Sequence, residues 1–418
     1  MSPAPAYDAG VGADRMVPSA RESSQRAGVR MGGTVASDAM KMVLLSVCLA
    51  VASSSCRPSP GEPEDRDLRR PTPAGSPIQG PLVDPAEIIS GGVPPDGIPA
   101  IDDPRFMAPG RVRFLSPHEP VVAVEVNGLP KAYPIRILMW HEIVNDDFDG
   151  VPVVVTYCPL CNTGIAFLRP TIEGELLDFG TSGKLYRSNL VMYDRYSNSY
   201  WPQALGRAVV GPLLGERLEP VPTRLLSWAD WRRAHPDGLV LSTDTGHRRA
   251  YGTNPYTGYE DEERPPLFTL DPDPRLPTTE HVLGVAGTEP IAFPYSELER
   301  LSSEGLAVVD RTVGERRLVV FWKAGTVSAL DAARIPRSAD VGAAAAYIPR
   351  IDGRGLTFVA RHGEIVDEQT GSRWTIAGVA VGGPLDGRRL DVALALDSFW
   401  FTWAAFHPET QIFRASTG

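Results

Sequence analysis

Trp228-Ala229-Asp230-Trp231-Arg232-Arg233-Ala234-His235-Pro236 returns later in the chain as Trp400-Phe401-Thr402-Trp403-Ala404-Ala405-Phe406-His407-Pro408. Both tryptophans, the histidine and the proline recur at one constant spacing. Working outward, Gly211-Pro212-Leu213 is answered by Gly383-Pro384-Leu385. Gly215, Arg217 and Leu218 are answered by Gly387, Arg389 and Leu390. Upstream, Asp194, Ser199 and Trp201 match Asp367, Ser372 and Trp374, and Ala132-Tyr133-Pro134 matches Ala292-Phe293-Pro294. Recurrence at fixed spacing is the mark of a repeated structural unit. The sequence therefore predicts two tandem copies, residues 91–245 and 281–418, joined by a Pro-rich connector, residues 246–280.

Each copy reads mainly as strands. Asn127-Gly128 between the apolar runs 121–126 and 129–133 predicts a hairpin, because this dipeptide suits a turn with positive φ. Residues 151–157 and 164–168 read as buried strands, and Ser197-Asn198 as a second turn. Two helices per copy are expected. Ile135, Leu138, Met139 and Ile143 have helical spacing over 135–145. Ser227 and Asp230 form a capping-box pattern over 227–234. At the end of that helix the His235 imidazole is expected to bond the last carbonyls. The fold class is α+β: two tandem copies of a mostly antiparallel β unit with short helices.

The chain has 418 residues, with 51 Asp+Glu against 41 Lys+Arg and a net charge of −10. This excludes a protein built to coat nucleic acid, whose footprint would be basic. Four cysteines exclude a small disulfide-stapled scaffold. The apolar run 42–52 is too short to span a bilayer, which needs about 20 residues. It lies between Met40-Lys41 and Ser53-Ser54-Ser55-Cys56, the order of a secretory signal. A cysteine directly after small residues resembles a bacterial lipoprotein signal, which implies acylation at Cys56. Residues 1–56 are thus a leader with its signal at 40–56. Residues 57–90, rich in Pro, Ser and charge, are expected to be a disordered tether. The expected location is the cell envelope, outside the cytoplasm, with the membrane as a partner through a lipid anchor.

Positions shared by both copies serve the common fold, so positions found in one copy are the better functional candidates. Three features occur only in the first. Cys158-Pro159-Leu160-Cys161 follows the strand 151–157, where the second copy has Trp322-Lys323-Ala324-Gly325-Thr326. His141 stands in Trp140-His141-Glu142-Ile143-Val144-Asn145. An insertion, residues 184–193, holds Lys184, Arg187, Ser188, Asn189 and Met192. Two thiols two residues apart can cycle between dithiol and disulfide, supply half of a tetrahedral zinc site, or bind Cu(I). They can also form a static disulfide. The turn and strand after Cys161 do not suit a thioredoxin-type site, which needs a long helix there. Zinc or copper would need His141, His118, an acid or Met192 to complete the shell. Asn189, Arg187 and Glu142 are secondary candidates. Glu142 reads as a solvated helix carboxylate, and His141-Glu142 lacks the second histidine of a zincin motif. A small-molecule or redox partner is expected if the thiols react.

Trp140-His141-Glu142-Ile143-Val144-Asn145, Tyr157-Cys158-Pro159-Leu160-Cys161 and Ser188-Asn189-Leu190-Val191-Met192-Tyr193-Asp194-Arg195 together resemble the family called domain of unknown function 3179. Ser197-Asn198-Ser199-Tyr200 departs from that family's pattern at a turn. The resemblance covers residues 91 to the C-terminus and implies a bacterial, exported protein. It implies no reaction.

Overall fold

A computed structural model describes residues 80–415. The leader, Cys56 and most of the expected tether lie outside these residues. The end of the expected tether is folded, which corrects its boundary at 90: Ile88–Ser90 (β1) pairs with a strand of the first half, Ile88 opposite Tyr186. Short apolar runs such as Ile88-Ile89 pair where a sheet edge is available, and composition does not report that edge.

The Asn127-Gly128 turn forms with φ of 51° and 77° and joins β2 (Pro120–Val126) to β3 (Leu129–Pro134). The helix expected over 135–145 is much shorter. It is α1 (Ile135–Leu138), and Ile143–Phe148 is a strand, β4, paired with β5 (Val151–Cys158). Ile143 and Val144 are β-branched and fully buried, and a short apolar run does not distinguish helix from buried strand by spacing alone.

The first half continues through β6 (Thr163–Leu168), β7 (Phe179–Tyr186), β8 (Asn189–Asp194), β9 (Tyr200–Pro202), β10 (Pro220–Val221), β11 (Thr223–Ser227), α2 (Trp228–Ala234) and β12 (Leu239–Leu241). Its sheets run β11-β2-β3-β12, β10-β6-β5-β4 and β1-β7-β8-β9, the first extended by the short strand Phe106–Met107. All pairings are antiparallel except β3 with β12. Ser227 caps α2, its side chain accepting from Asp230 N at 3.1 Å.

The second half contains β13 (His281–Val285), β14 (Ile291–Pro294), α3 (Tyr295–Leu301), β15 (Leu306–Val313), β16 (Arg316–Lys323) and β17 (Ala343–Ile348). It continues with β18 (Phe358–Arg361), β19 (Glu364–Asp367), β20 (Arg373–Trp374), β21 (Asp391–Val392), β22 (Leu396–Phe399), α4 (Trp400–Phe406) and β23 (Gln411–Ile412). Its sheets run β22-β13-β14-β23, β21-β17-β16-β15 and β18-β19-β20, and β14 with β23 is the parallel pair. Strand order and the place of the parallel pair thus correspond between the halves.

So do details of bonding. Asp194 accepts from the backbone N–H of Ser197 and Ser199 and from the Trp201 indole at 2.9 Å. Asp367 accepts from Thr370 N, Ser372 N and the Trp374 indole at 3.0 Å. Both carboxylates are fully buried and are satisfied by these donors. His235 and His407 end their helices with nearly identical backbone angles, and the backbone N–H of each bonds to Trp231 O and Trp403 O. The His235 ring, contrary to expectation, bonds no helix carbonyl: its Nδ1 accepts from Arg389 at 3.0 Å.

The halves share apolar clusters. One joins Val122, Tyr133 and Tyr157 to Leu330, Ile335 and Phe399, and another joins Trp228 and Trp231 to Phe321, Tyr347 and Trp374. Among the described residues no helix is long and apolar enough to cross a membrane.

Candidate functional site

β5 delivers Tyr157 and Cys158 to its C-terminal end. A 3₁₀ turn, Pro159–Cys161, follows, with the fixed φ of proline at its first position. Asn162 then takes a left-handed conformation (φ 50°), and β6 returns with Thr163 opposite Cys158. Both sulfurs therefore sit inside a hairpin loop. Cys158 and Cys161 are 1% and 0% exposed, and both are free thiols. Their thiols lie close enough to interact.

The insertion supplies the roof. It lengthens the β7–β8 hairpin so that its two-residue tip, Arg187-Ser188, reaches the thiols. Both tip residues have positive φ (52° and 63°), as a turn of this type requires. Neither is glycine, so the tip carries backbone strain on the order of 1–2 kcal/mol per residue. Cys158 Sγ donates to Ser188 O at 3.7 Å, and Asn189 Nδ2 donates to Cys161 Sγ at 3.2 Å. Cys158 thus spends its one thiol proton on Ser188 O, and Cys161 accepts from Asn189. Asn189 is held by its own partners: Nδ2 also donates to Gln203 Oε1 at 2.9 Å, and Oδ1 accepts from Ala204 N at 2.8 Å. Gln203 is tied to Thr156 and to Thr163 O.

Burial pushes the Cys158 thiol well above its ordinary range, and contact with Cys161 and the nearby Glu142 carboxyl add to the shift. Glu142 is not a solvated helix carboxylate. It is 8% exposed, stands at φ 59° in the turn before β4, and burial raises its pKa to about 8. At neutral pH the pocket therefore holds a neutral Cys158 thiol beside a neutral carboxyl. Tyr259 comes from the connector, and burial raises its hydroxyl far above the usual range, with smaller contributions from the two cysteines. The Tyr259 and Ser188 hydroxyls lie close enough to influence each other, yet neither has an aligned hydrogen-bond partner among the described residues.

Other sequence-derived candidates are elsewhere or differently engaged. His141 is fully buried. Its Nδ1 lies 2.8 Å from Pro99 O, which can only accept, so Nδ1 carries the proton and Nε2 accepts from the Tyr251 hydroxyl at 2.6 Å. Burial lowers its pKa to about 4. Both nitrogens are thus occupied away from the thiols. Met192 is fully buried in the same apolar cluster as the two cysteines. Arg187 donates to Ala405 O at 2.7 Å and its guanidinium lies 3.8 Å from Glu87. His118 bonds Gly325 O. Among the described residues no group of three or more His, Cys, Asp or Glu could hold a metal ion.

The second half and the connector contribute groups that the copy-to-copy comparison overlooked. Asn162 donates to His281 Nδ1 at 3.1 Å, while its Oδ1 accepts from Tyr157 OH at 2.8 Å. Glu260 Oε1 lies 3.4 Å from His281 Nε2. Ser398 Oγ donates to Cys161 O at 3.4 Å. One signal was available for the connector: Tyr251, Tyr256 and Tyr259 are unusual in a segment that only links. No curated protein and no solved structure matches the chain. The model of one family, described as Protein of unknown function (DUF3179), matches residues 95–410, and the chain belongs to that family.

Proposed function

We propose that Cys158 and Cys161 form a closed dithiol site for a soft, thiophilic ion, with Cu(I) preferred over Zn. The observation that carries this reading is the pair of free, buried thiols in mutual contact beneath two hydroxyls that have no aligned partner. Soft sulfur donors select Cu(I), whereas zinc wants four ligands, and among the described residues no group of three or more His, Cys, Asp or Glu could hold an ion. Binding would release both thiol protons, and the ion's charge would offset the cost of creating buried thiolates. Asn189, Ser188 and Tyr259 would then have negatively charged sulfurs to donate to. In this reading His141 positions Tyr251 on the connector and is not a ligand.

The test is titration of reduced full-length protein with Cu(I) against a competing chelator. About one equivalent is expected, and Cys158→Ser or Cys161→Ser should each abolish it. Uptake that survives loss of both cysteines would overturn the site. A second reading, a dithiol–disulfide couple, is favoured by the sulfur–sulfur contact. It predicts two electrons and two protons released per disulfide to an oxidising partner, and a measurable reduction potential for the pair. A disulfide that resists mild reductant, with no ion uptake after full reduction, would leave a structural cross-link in a non-enzymatic scaffold.

We also propose that the chain is held in the cell envelope by a lipid on Cys56. Cys56→Ser should move it from the membrane fraction to the soluble fraction, and unchanged fractionation would refute the anchor. Duplication of one unit is our account of the matched strand orders and matched Asp–Trp clusters. It makes the thiol site a specialisation of the first copy.

A further inference from the structure

Arg224 lies on β11 and is only 4% exposed, yet among the described residues no carboxylate comes within ion-pair distance of its guanidinium. Nη1 donates to Ala377 O at 2.8 Å, the Tyr347 hydroxyl lies alongside, and Nε is buried without a partner. A buried charge with no counter-ion is costly, and folds normally pair it. Beside it opens a cleft of about 350 Å³ between the halves, lined by the β2–β3 hairpin end at Glu125 and Gly128, by Pro222 and Arg224, and by Ala377 and residues 389–392. Arg389 also lines it. Its Nη1 donates to Glu125 at 3.0 Å and to His235 Nδ1 at 3.0 Å. His235 is 1% exposed and its Nε2 has no partner.

We propose that this cleft is a binding site for a small carboxylate, with Arg224 as the principal counter-ion and Arg389 as the second donor. The count of charges chooses the ligand class. Arg224, Arg389, Glu125 and Asp391 all line the cleft; Glu125 is already engaged by Arg389, and Asp391 is exposed to water. One buried positive charge remains to be matched, which suits a monoanionic carboxylate better than a phosphate dianion near two acids. A guanidinium presents paired N–H donors that fit a carboxylate. The depressed pKa of His235, caused first by burial and then by the Arg224 and Arg389 charges, agrees with a positive field at this spot. The site is separate from the thiol pocket and does not depend on its assignment.

The test uses the full chain with acetate and propionate as probes, titrated at constant ionic strength with chloride as the balancing anion. Binding is read by thermal shift and by tryptophan fluorescence, since the Trp231 ring lies 5.4 Å from the His235 ring. A saturable response is expected, weakened at least tenfold in Arg224→Met and less in Arg389→Met. Arg311→Met, on an exposed strand face, should bind like the parent. If Arg224→Met does not fold, Arg224→Lys serves: it keeps the charge, loses the fork, and should bind more weakly. No saturable response in the parent, an unchanged response in the Arg224 variants, or equal binding of inorganic phosphate would each overturn the proposal.

Discussion

The two hairpins that follow the central sheets differ in length, and the difference separates scaffold from site. In the second half β18 and β19 are four residues each and turn at His362-Gly363, with glycine at one of the two positive-φ positions. In the first half β7 and β8 are longer and turn at Arg187-Ser188, with no glycine. The short hairpin has the less strained turn, with one non-glycine residue at positive φ against two. The long one accepts strain where its tip touches the thiols. More strain at the first-half tip than at the second-half tip is the pattern expected when a local constraint serves a site.

The largest expected effect tests whether the halves are equivalent where they look alike. Asp194→Ala and Asp367→Ala each remove the acceptor of a buried indole N–H and of one turn N–H, while Ser199 N and Ser372 N keep contacts to Ser197 Oγ and Thr370 Oγ1 at 3.2 Å. Each orphan donor costs about 1–3 kcal/mol, so each variant should lose about 2 kcal/mol or more in urea unfolding. The two losses should agree to within about 1 kcal/mol. A large effect in one half with almost none in the other would break the correspondence.

A smaller effect concerns pH. Glu142 in the first half and Asp397 in the second are buried carboxyls whose pKa values are raised to about 8 and about 7, burial being the main cause in each. An acid that holds its proton more tightly when folded favours the native state at low pH. Stability should therefore fall as pH rises from the unfolded carboxyl range towards 8, by at most about 1.4 kcal/mol per unit for each group. Glu142→Gln should flatten the slope up to pH about 8, and Asp397→Asn should flatten it only to about 7. Unfolding measured at pH 5, 6.5 and 8 distinguishes them; a slope unchanged in Glu142→Gln would remove the neutral carboxyl from the account of the pocket.

The smallest effects sharpen the hairpin and helix comparisons. Ser188→Gly should stabilise the fold by about 1 kcal/mol through relief of the positive-φ strain, while weakening Cu(I) uptake by removing a hydroxyl from the pocket. Stabilisation with unaltered uptake would separate the strain from the site. Ser227→Ala should cost about 1 kcal/mol, because it removes the side-chain cap of α2. The equivalent position before α4 is Phe399, which makes no side-chain cap, so that helix relies on packing of Trp400 and Trp403.

Some of this protein was legible in one dimension. Asn127-Gly128 specified its turn because the positive φ it needs is a property of the residues themselves. Ser227 and Asp230 specified the start of α2 by bonds three residues apart. The spacing of the tryptophans, Asp194 and Asp367 exposed a pattern whose counterparts occupy corresponding strands. The nearness of Cys158 to Cys161, and the insertion above them, were readable because they are close in sequence or unmatched between the two halves. Other features depended on long-range packing. The run from Ile135 to Asn145 carried helical spacing, yet Ile143 and Val144 were claimed by a strand partner, since a buried sheet satisfies their backbone and their branched side chains together. Glu142 looked solvated and is enclosed, and His141 looked like a ligand and is occupied by Pro99 and Tyr251. Tyr259, His281 and Ser398 approach the thiol loop from more than a hundred residues away or nearly so, brought there by cores that run through both halves. Burial and partnership of a polar group depend on what the rest of the chain places around it, and local sequence does not encode that placement.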